Sequence, residues 1–305
     1  MMLMSGARIA VIGAGRMGHG IGWRLAAAGH AVRIQDPDKG VLAALPARLD
    51  EIRRLLEAGE DIAGRVSGTR DLRAAVENAD FVFEAAPENL ALKQALFQKL
   101  AEFAPRHAIL CSNTSAIPIA QIAARVQEKD RVVGTHFWNP PYLVDLVEVV
   151  LLNEANRPAA EKAATLLREA GAHPVFVNRD IPGFIGNRLQ HALKREAIAL
   201  VAAGICDAET IDDVVKHGFG ARLSVLGPME QSDLVGLDMT KAIHDVLIAD
   251  LDRTPGTHPY LDDLVARGNL GMKTGKGFRT WSPEEAAAVD DRLRRFLVNA
   301  ARSGR

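Results

Sequence analysis

The first 180 residues alternate short apolar runs with longer stretches in which apolar residues recur at helical spacing. Ile9-Ala10-Val11-Ile12, Ala31-Val32-Arg33-Ile34, Phe81-Val82-Phe83 and Ala108-Ile109-Leu110 read as buried strands, because short continuous apolar runs suit a sheet covered on both faces. Between them lie amphipathic stretches such as Leu90 to Phe103, with apolar residues at Leu92, Leu96, Leu100 and Phe103. Residues 131–137 and, beyond a Pro140-Pro141 turn, 144–152 continue the strand series. Residues 159–170 read as a helix ending at Gly171, and 174–177 close the alternation. This order predicts βαβ units and a parallel sheet covered by helices.

After Asp180-Ile181-Pro182-Gly183 the strand signals almost vanish. Residues 184–203 predict one long helix stopped by Gly204, and Asp207 reads as the N-cap of the next. The expected organisation is an α/β domain over residues 1–180, followed by a smaller all-helical domain over 181–305. There is no internal repeat and no low-complexity segment.

Composition narrows the partners. With 48% hydrophobic residues, 25% charged and a net charge of −1, the 305-residue chain has the balance of an ordinary soluble globular protein. It has no basic block and no aromatic–basic interleaving, so nucleic acid and anionic membrane surfaces are poor candidates. Cys111 and Cys206 lie far apart without CxxC spacing, which argues against a disulfide scaffold or structural zinc and suits a reducing cytosol. Met1-Met2-Leu3-Met4 is too short for a signal peptide, Arg8 interrupts the stretch after it, and no apolar run approaches the ~20 residues that span a bilayer. A cytoplasmic location is expected. His19, His107, His191, His217 and His244 share no metal-ligand spacing, so no metal is expected.

Gly13-Ala14-Gly15-Arg16-Met17-Gly18 is a GxGxxG that comes directly after a strand and opens a helical pattern. The first glycine permits a tight turn, the second lets backbone approach a pyrophosphate, and the third lets helix and strand pack closely. Alone, such a motif equally fits a Gly-rich turn. Asp36 strengthens it: 18 residues beyond Gly18, at the end of the second strand, a carboxylate would accept hydrogen bonds from the adenine ribose and repel a 2′-phosphate. The other reading of Asp36 is a helix N-cap aided by Pro37. In this context Gly13, Gly15, Met17, Gly18 and Asp36 point to a Rossmann-type domain that binds NAD rather than NADP.

Gly134-Thr135-His136-Phe137-Trp138-Asn139-Pro140-Pro141 ends a strand at the sheet edge where α/β folds bind ligands. Glu148 comes twelve residues later, inside Leu146-Val147-Glu148-Val149-Val150. If the chain reverses at the prolines about Tyr142, His136 and Glu148 fall opposite each other with Cβ atoms ~5 Å apart. A carboxylate among valines is costly unless paired. Oxidising a carbinol needs a base for the hydroxyl proton, and an imidazole oriented by a carboxylate provides one. The competing reading is a solvated edge-strand glutamate and an unrelated core histidine. Ser112-Asn113-Thr114-Ser115 lies just beyond another strand and fits either nicotinamide and substrate contacts or a helix cap before Pro118. Asn187 lies early in the long helix, where asparagine has poor propensity, and is either a ligand contact or an exposed residue.

Taken together, these segments resemble the 3-hydroxyacyl-CoA dehydrogenase family over essentially the whole chain. They include the glycine fingerprint, Pro87-Glu88-Asn89-Leu90 with Lys93, Asn113-Thr114-Ser115, the His136 and Glu148 segments, Pro182-Gly183-Phe184-Ile185-Gly186-Asn187-Arg188, Gly227-Pro228-Met229, Asp233-Leu234-Val235-Gly236-Leu237-Asp238, and Leu270 to Phe278. The resemblance implies a catalytic dyad at His136 and Glu148, substrate contacts at Ser115, Asn139 and Asn187, and cofactor contacts at Glu88 and Lys93. It also implies NAD-dependent oxidation of the 3-hydroxyl of a 3-hydroxyacyl-CoA in fatty acid metabolism, and a helical domain that forms a homodimer and closes the cleft. The segment between Asp36 and Glu88 is shorter than in the acyl-CoA enzymes and holds a single lysine, Lys39. Pro87-Glu88-Asn89-Leu90, Asn139-Pro140-Pro141-Tyr142 and Asn187-Arg188-Leu189-Gln190 are more similar to the lambda-crystallin/L-gulonate 3-dehydrogenase branch, which acts on free hydroxy acids. The alternatives are therefore a dehydrogenase of the L-gulonate or carnitine type, the lysine-dependent 6-phosphogluconate/hydroxyisobutyrate type, and a catalytically silent NAD-binding structural protein of the crystallin kind.

Overall fold

The short apolar runs become the interior of an eight-stranded sheet. Its strands are β1 (Arg8–Ile12), β2 (Ala31–Gln35), β3 (Val66–Thr69), β4 (Phe81–Glu84), β5 (Ile109–Ser112), β6 (Val132–Phe137), β7 (Leu146–Val150) and β8 (His173–Val177), in the order β3-β2-β1-β4-β5-β6-β7-β8. All neighbours pair in parallel except β6 and β7, which are antiparallel. The computed structural model describes residues 6–58 and 62–302, so the reading of Met1 to Met4 lies outside the described residues.

Both faces are covered, which is why the strand runs are continuously apolar rather than alternating. Helices α1 (Arg16–Ala27), α2 (Lys39–Ala43), α3 (Leu45–Leu55), α4 (Leu72–Val76), α5 (Leu90–Phe103), α6 (Ile119–Ile122) and α7 (Arg157–Glu169) connect the strands. On one face Ile21, Leu25, Ile52 and Leu167 pack on Val11, Ile34, Phe83 and Val149; on the other Val76, Phe97, Leu100 and Ile122 pack on Ala10, Val82, Leu110 and Val132. The edge strand β3 is absent from the sequence-based expectation. Its residues Val66-Ser67-Gly68-Thr69 are half-buried or exposed, so they carry neither a continuous apolar run nor a clear alternation.

Contacts group the residues up to Asn187 and those from Arg294 onward into one unit, and Arg188 to Leu293 into a second. This contact division falls inside α8 (Gly186–Ala202), and the backbone of Ile185 and Gly186 and the side chain of Asn187 bond to groups of the first unit. The second unit continues through α9 (Ala208–His217), α10 (Pro228–Val235), α11 (Leu237–Leu247), α12 (Pro259–Ala266) and the start of α13 (Pro283–Arg302), with two isolated β-bridges at Gly271–Lys276 and Lys276–Thr280. As expected, the Asp207 carboxylate caps α9, accepting from Thr210 N at 2.8 Å. Among the described hydrophobic residues of this unit only Leu264 is buried. Among the described residues, no helix is long and apolar enough to cross a membrane.

Candidate functional site

The strand order reverses at β1, so the loops leaving β1 and β4 diverge and open a crevice at the carboxyl edge of the sheet. Gly13 comes after β1 with φ +100°, and a Cβ there would sit 2.7 Å from the Ala85 carbonyl oxygen in the loop after β4. A Cβ on Gly18 would strike the Gly13 carbonyl oxygen, which explains the close seating of α1 on β1. Among the described residues, nothing lies within 4 Å of the Cβ position of Gly15, the N-cap of α1, and no side chain caps that helix. An open glycine before an uncapped helix N-terminus fits a dinucleotide pyrophosphate. Arg48 of α3 braces the turn, donating from Nη1 to the Ala14 carbonyl at 3.0 Å. Met17 is half-buried against the hydrophobic core.

Asp36 leaves β2 beside this turn. Its Oδ2 accepts from Ala14 N and its Oδ1 from Asp38 N, both at 2.9 Å. The cap of α2 is Asp38, not Asp36. The Asp36 carboxylate is thus fixed at the strand end and keeps lone pairs for ribose hydroxyls.

The hairpin of β6 and β7 brings the expected pair together. His136 and Glu148 are register partners, and the β6–β7 turn is anchored to α1 by the buried Arg24, which donates to the Pro141 carbonyl at 2.7 Å and to Asp145 Oδ1 at 2.8 Å. His136 Nδ1 lies 2.8 Å from Glu148 Oε2. An ionised carboxylate only accepts, so Nδ1 carries a proton, and the neutral ring has its lone pair on Nε2. Glu148 Oε1 accepts from Ile185 N at 2.8 Å and Gly186 N at 3.0 Å. Burial would raise this carboxyl, but these hydrogen bonds outweigh it and hold Glu148 below the usual carboxylate range. Fully buried Phe184 has φ +51° and packs its ring 5.8 Å from His136, turning the chain so that the next two N–H groups meet Glu148.

A second polar cluster joins the loops after β4 and β5. Lys93 is 1% exposed and Glu84 fully buried, and the Lys93 ammonium lies 2.7 Å from Glu84 Oε1 and 3.4 Å from Glu88 Oε2. Glu88 Oε1 accepts from Thr114 Oγ1 at 2.6 Å, Ser115 N at 3.0 Å and Ala116 N at 3.2 Å. Burial would raise Glu88, but Thr114, the Lys93 charge and the two N–H groups hold it low. Asn113 Oδ1 accepts from Phe137 N at 2.8 Å, tying the end of β5 to that of β6. Ser112, Asn113 and Thr114 are buried, whereas Ser115 is exposed on the loop. Asn187, the second residue of α8, donates from Nδ2 to the Ser115 carbonyl at 2.8 Å. Asn139 is exposed in the turn after β6. The structure therefore brings His136, Glu148, Ser115 and Asn187 to one edge, with Glu88 beneath the Ser115 loop and Lys93 buried below that. Glu84 was not singled out from the sequence, and Ser112 and Phe184 entered the sequence reading only as members of longer segments. Glu84 ends an apolar run much as Glu148 interrupts one, and that signal finds it.

Comparisons with known proteins identify the family. The description "3-hydroxyacyl-CoA dehydrogenase, NAD binding domain" matches residues 8–181, and "3-hydroxyacyl-CoA dehydrogenase, C-terminal domain" matches residues 183–281. The chain is 33% identical to 5-formyl-3-hydroxy-2-methylpyridine 4-carboxylate 5-dehydrogenase of Mesorhizobium japonicum over 306 residues, covering 96% of this chain and 97% of that one. It is 37% identical to human mitochondrial hydroxyacyl-coenzyme A dehydrogenase over 286 residues, covering 88% and 90%. A crystal structure of a 5-formyl-3-hydroxy-2-methylpyridine 4-carboxylic acid 5-dehydrogenase, described as an NAD+ dependent dismutase, superposes with a TM-score of 0.90 at 32% identity over 98% of both chains. A glycine turn built for a pyrophosphate, a carboxylate at the end of the second strand, and family matches spanning both parts of the chain lead to one assignment: the protein belongs to the 3-hydroxyacyl-CoA dehydrogenase family of NAD-dependent oxidoreductases.

Proposed function

We propose that the protein oxidises the 3-hydroxyl of a 3-hydroxyacyl-CoA or a related 3-hydroxy acid to the 3-keto product, with His136 as base. The observation that carries this reading is the 2.8 Å bond from His136 Nδ1 to the buried Glu148 carboxylate at the carboxyl edge of β6. NAD, when bound, supplies the hydride acceptor. Gly13, Gly15 and Gly18 shape the pyrophosphate turn and Asp36 receives the ribose. His136 Nε2 takes the hydroxyl proton while Glu148 holds the ring and stabilises its cation. Ser115 and Asn187 position the reacting oxygen, and Asn139 lines the same approach. Residues 1–180 serve as the cofactor domain, and residues 181–305 contribute to substrate binding and pair two copies into a homodimer.

A free acid is the second reading, and two observations favour it. The pyridine-carboxylate dehydrogenase matches this chain almost end to end, whereas the human acyl-CoA enzyme covers 88% of it. The basic residues of α3 are also engaged locally: Arg53 and Arg54 pair with Asp50, and Arg48 braces the Ala14 carbonyl. NADH formation measured on 3-hydroxybutyryl-CoA, free 3-hydroxybutyrate, L-gulonate and carnitine separates the substrate classes. Replacing His136 with Ala is expected to cut turnover ~10²-fold or more while leaving NADH affinity nearly intact. Unchanged turnover removes His136 from the reaction.

A further inference from the structure

Glu84 is the last residue of β4, in register with Ile12 of β1 and Ser112 of β5, so it sits between the strands that lead into Gly13 and Asn113. It is fully buried, and each of its carboxylate oxygens is used. Oε1 accepts from the Lys93 ammonium at 2.7 Å and from Ala86 N at 2.8 Å, and Oε2 accepts from Ser112 Oγ at 2.7 Å. Lys93 also donates to the Ala86 carbonyl at 3.3 Å and lies 3.4 Å from Glu88 Oε2. A buried ion pair is a weak device for stability, since desolvation offsets much of the attraction, so its value lies in what it holds in place.

Each contact leads toward the cofactor edge. The bond to Ala86 N fixes the backbone whose neighbour, Ala85, carries the carbonyl that only a glycine at position 13 can approach. The bond to Lys93 sets the far oxygen of Glu88, whose near oxygen gathers Thr114 Oγ1 and the N–H groups of Ser115 and Ala116. Ser115 in turn receives Asn187. We infer that Glu84 is a positioning residue: acting through Lys93 and Glu88, its carboxylate aligns the Ser115 loop with Asn187 and seats the loop after β4 against the glycine turn. The inference rests on the proposed reaction for Ser115 and Asn187, but not for the seating of the cofactor turn.

The test compares wild type with E84Q, S115A and the double variant E84Q/S115A. NADH affinity is read by fluorescence titration, kcat and KM on a 3-hydroxy substrate by NADH formation, and folding by the thermal midpoint. E84Q keeps the shape and removes the charge. It is expected to lower kcat about tenfold or more with a smaller change in substrate KM, the pattern of misplaced rather than missing contacts. The double variant should lose little more than the worse single variant, because residues acting as one unit do not give multiplicative losses. Losses that multiply, or a kcat unchanged in E84Q, overturn the inference. If E84Q does not fold, E88Q takes its place in the same cycle, at a side chain that is 41% exposed, with the same two outcomes. If wild type turns over none of the 3-hydroxy substrates, the proposed reaction fails first and NADH affinity decides: weakening by about tenfold in E84Q supports the seating role, and unchanged affinity sinks it.

Discussion

At the scale of single residues, two buried carboxylates, Glu84 and Glu148, organise the site. Glu148 was legible in the sequence because a carboxylate among valines demands a partner, and the proline turn supplied the register. The same warrant applies to Phe81-Val82-Phe83-Glu84, where the partners come from α5 and β5 rather than from a hairpin neighbour. Phe184 left no such trace, since nothing local marks a bulky residue for φ +51°; tertiary packing imposes it. Replacing Glu148 with Gln should lower turnover about a hundredfold or more, because the amide no longer enforces the Nδ1–H form of His136. The folded carboxyl is held below its ordinary value, so its contribution to stability is present above that value and disappears as pH falls through the depressed one. Denaturation midpoints of wild type and E148Q should therefore converge as pH is lowered from about 5 to below about 4. A gap that widens toward acid contradicts the assignment.

At the scale of elements, strands covered on both faces were readable as apolar runs, and helices as periodic ones, whereas the edge strand β3 offered neither. Helix ends moved by one or two residues: α7 begins at Arg157, with Pro158 inside its first turn, and α8 begins at Gly186, after the left-handed Phe184. The β1–α1 turn is the most demanding local structure in the crevice. Gly13→Ala adds a Cβ 2.7 Å from the Ala85 oxygen at a φ of +100°, a strain on the order of 1–3 kcal/mol before any clash with backbone. NADH affinity should fall tenfold or more, since ~1.4 kcal/mol suffices for that factor. An affinity equal to wild type would mean that the cofactor does not use this turn.

At the scale of the whole molecule, the helical unit is unusual for what it leaves uncovered. Val225, Val246, Leu234 and Met229 are 85%, 81%, 75% and 73% exposed, and a groove of about 720 Å³ is lined by Ile198, Val201, Ile211, Leu261 and Phe278 among others. Apolar surface on this scale marks an interaction site, and a second copy of the chain is the partner proposed above. One chain's periodicity records that a helix has an apolar face but not which molecule covers it, so this level was beyond reading residue by residue. In sedimentation velocity the protein should run as a dimer at micromolar concentration, and the pair Leu234→Asp and Val246→Asp should shift it toward monomer. A monomeric wild type removes the homodimer. Glu148 holds His136 with one oxygen and, with the other, the backbone where α8 begins and the chain leaves the first unit. Correct routing of the polypeptide and readiness for the proposed proton transfer are thereby reported by one carboxylate. A chain nicked or misthreaded at that exit should be silent as a catalyst rather than merely slow.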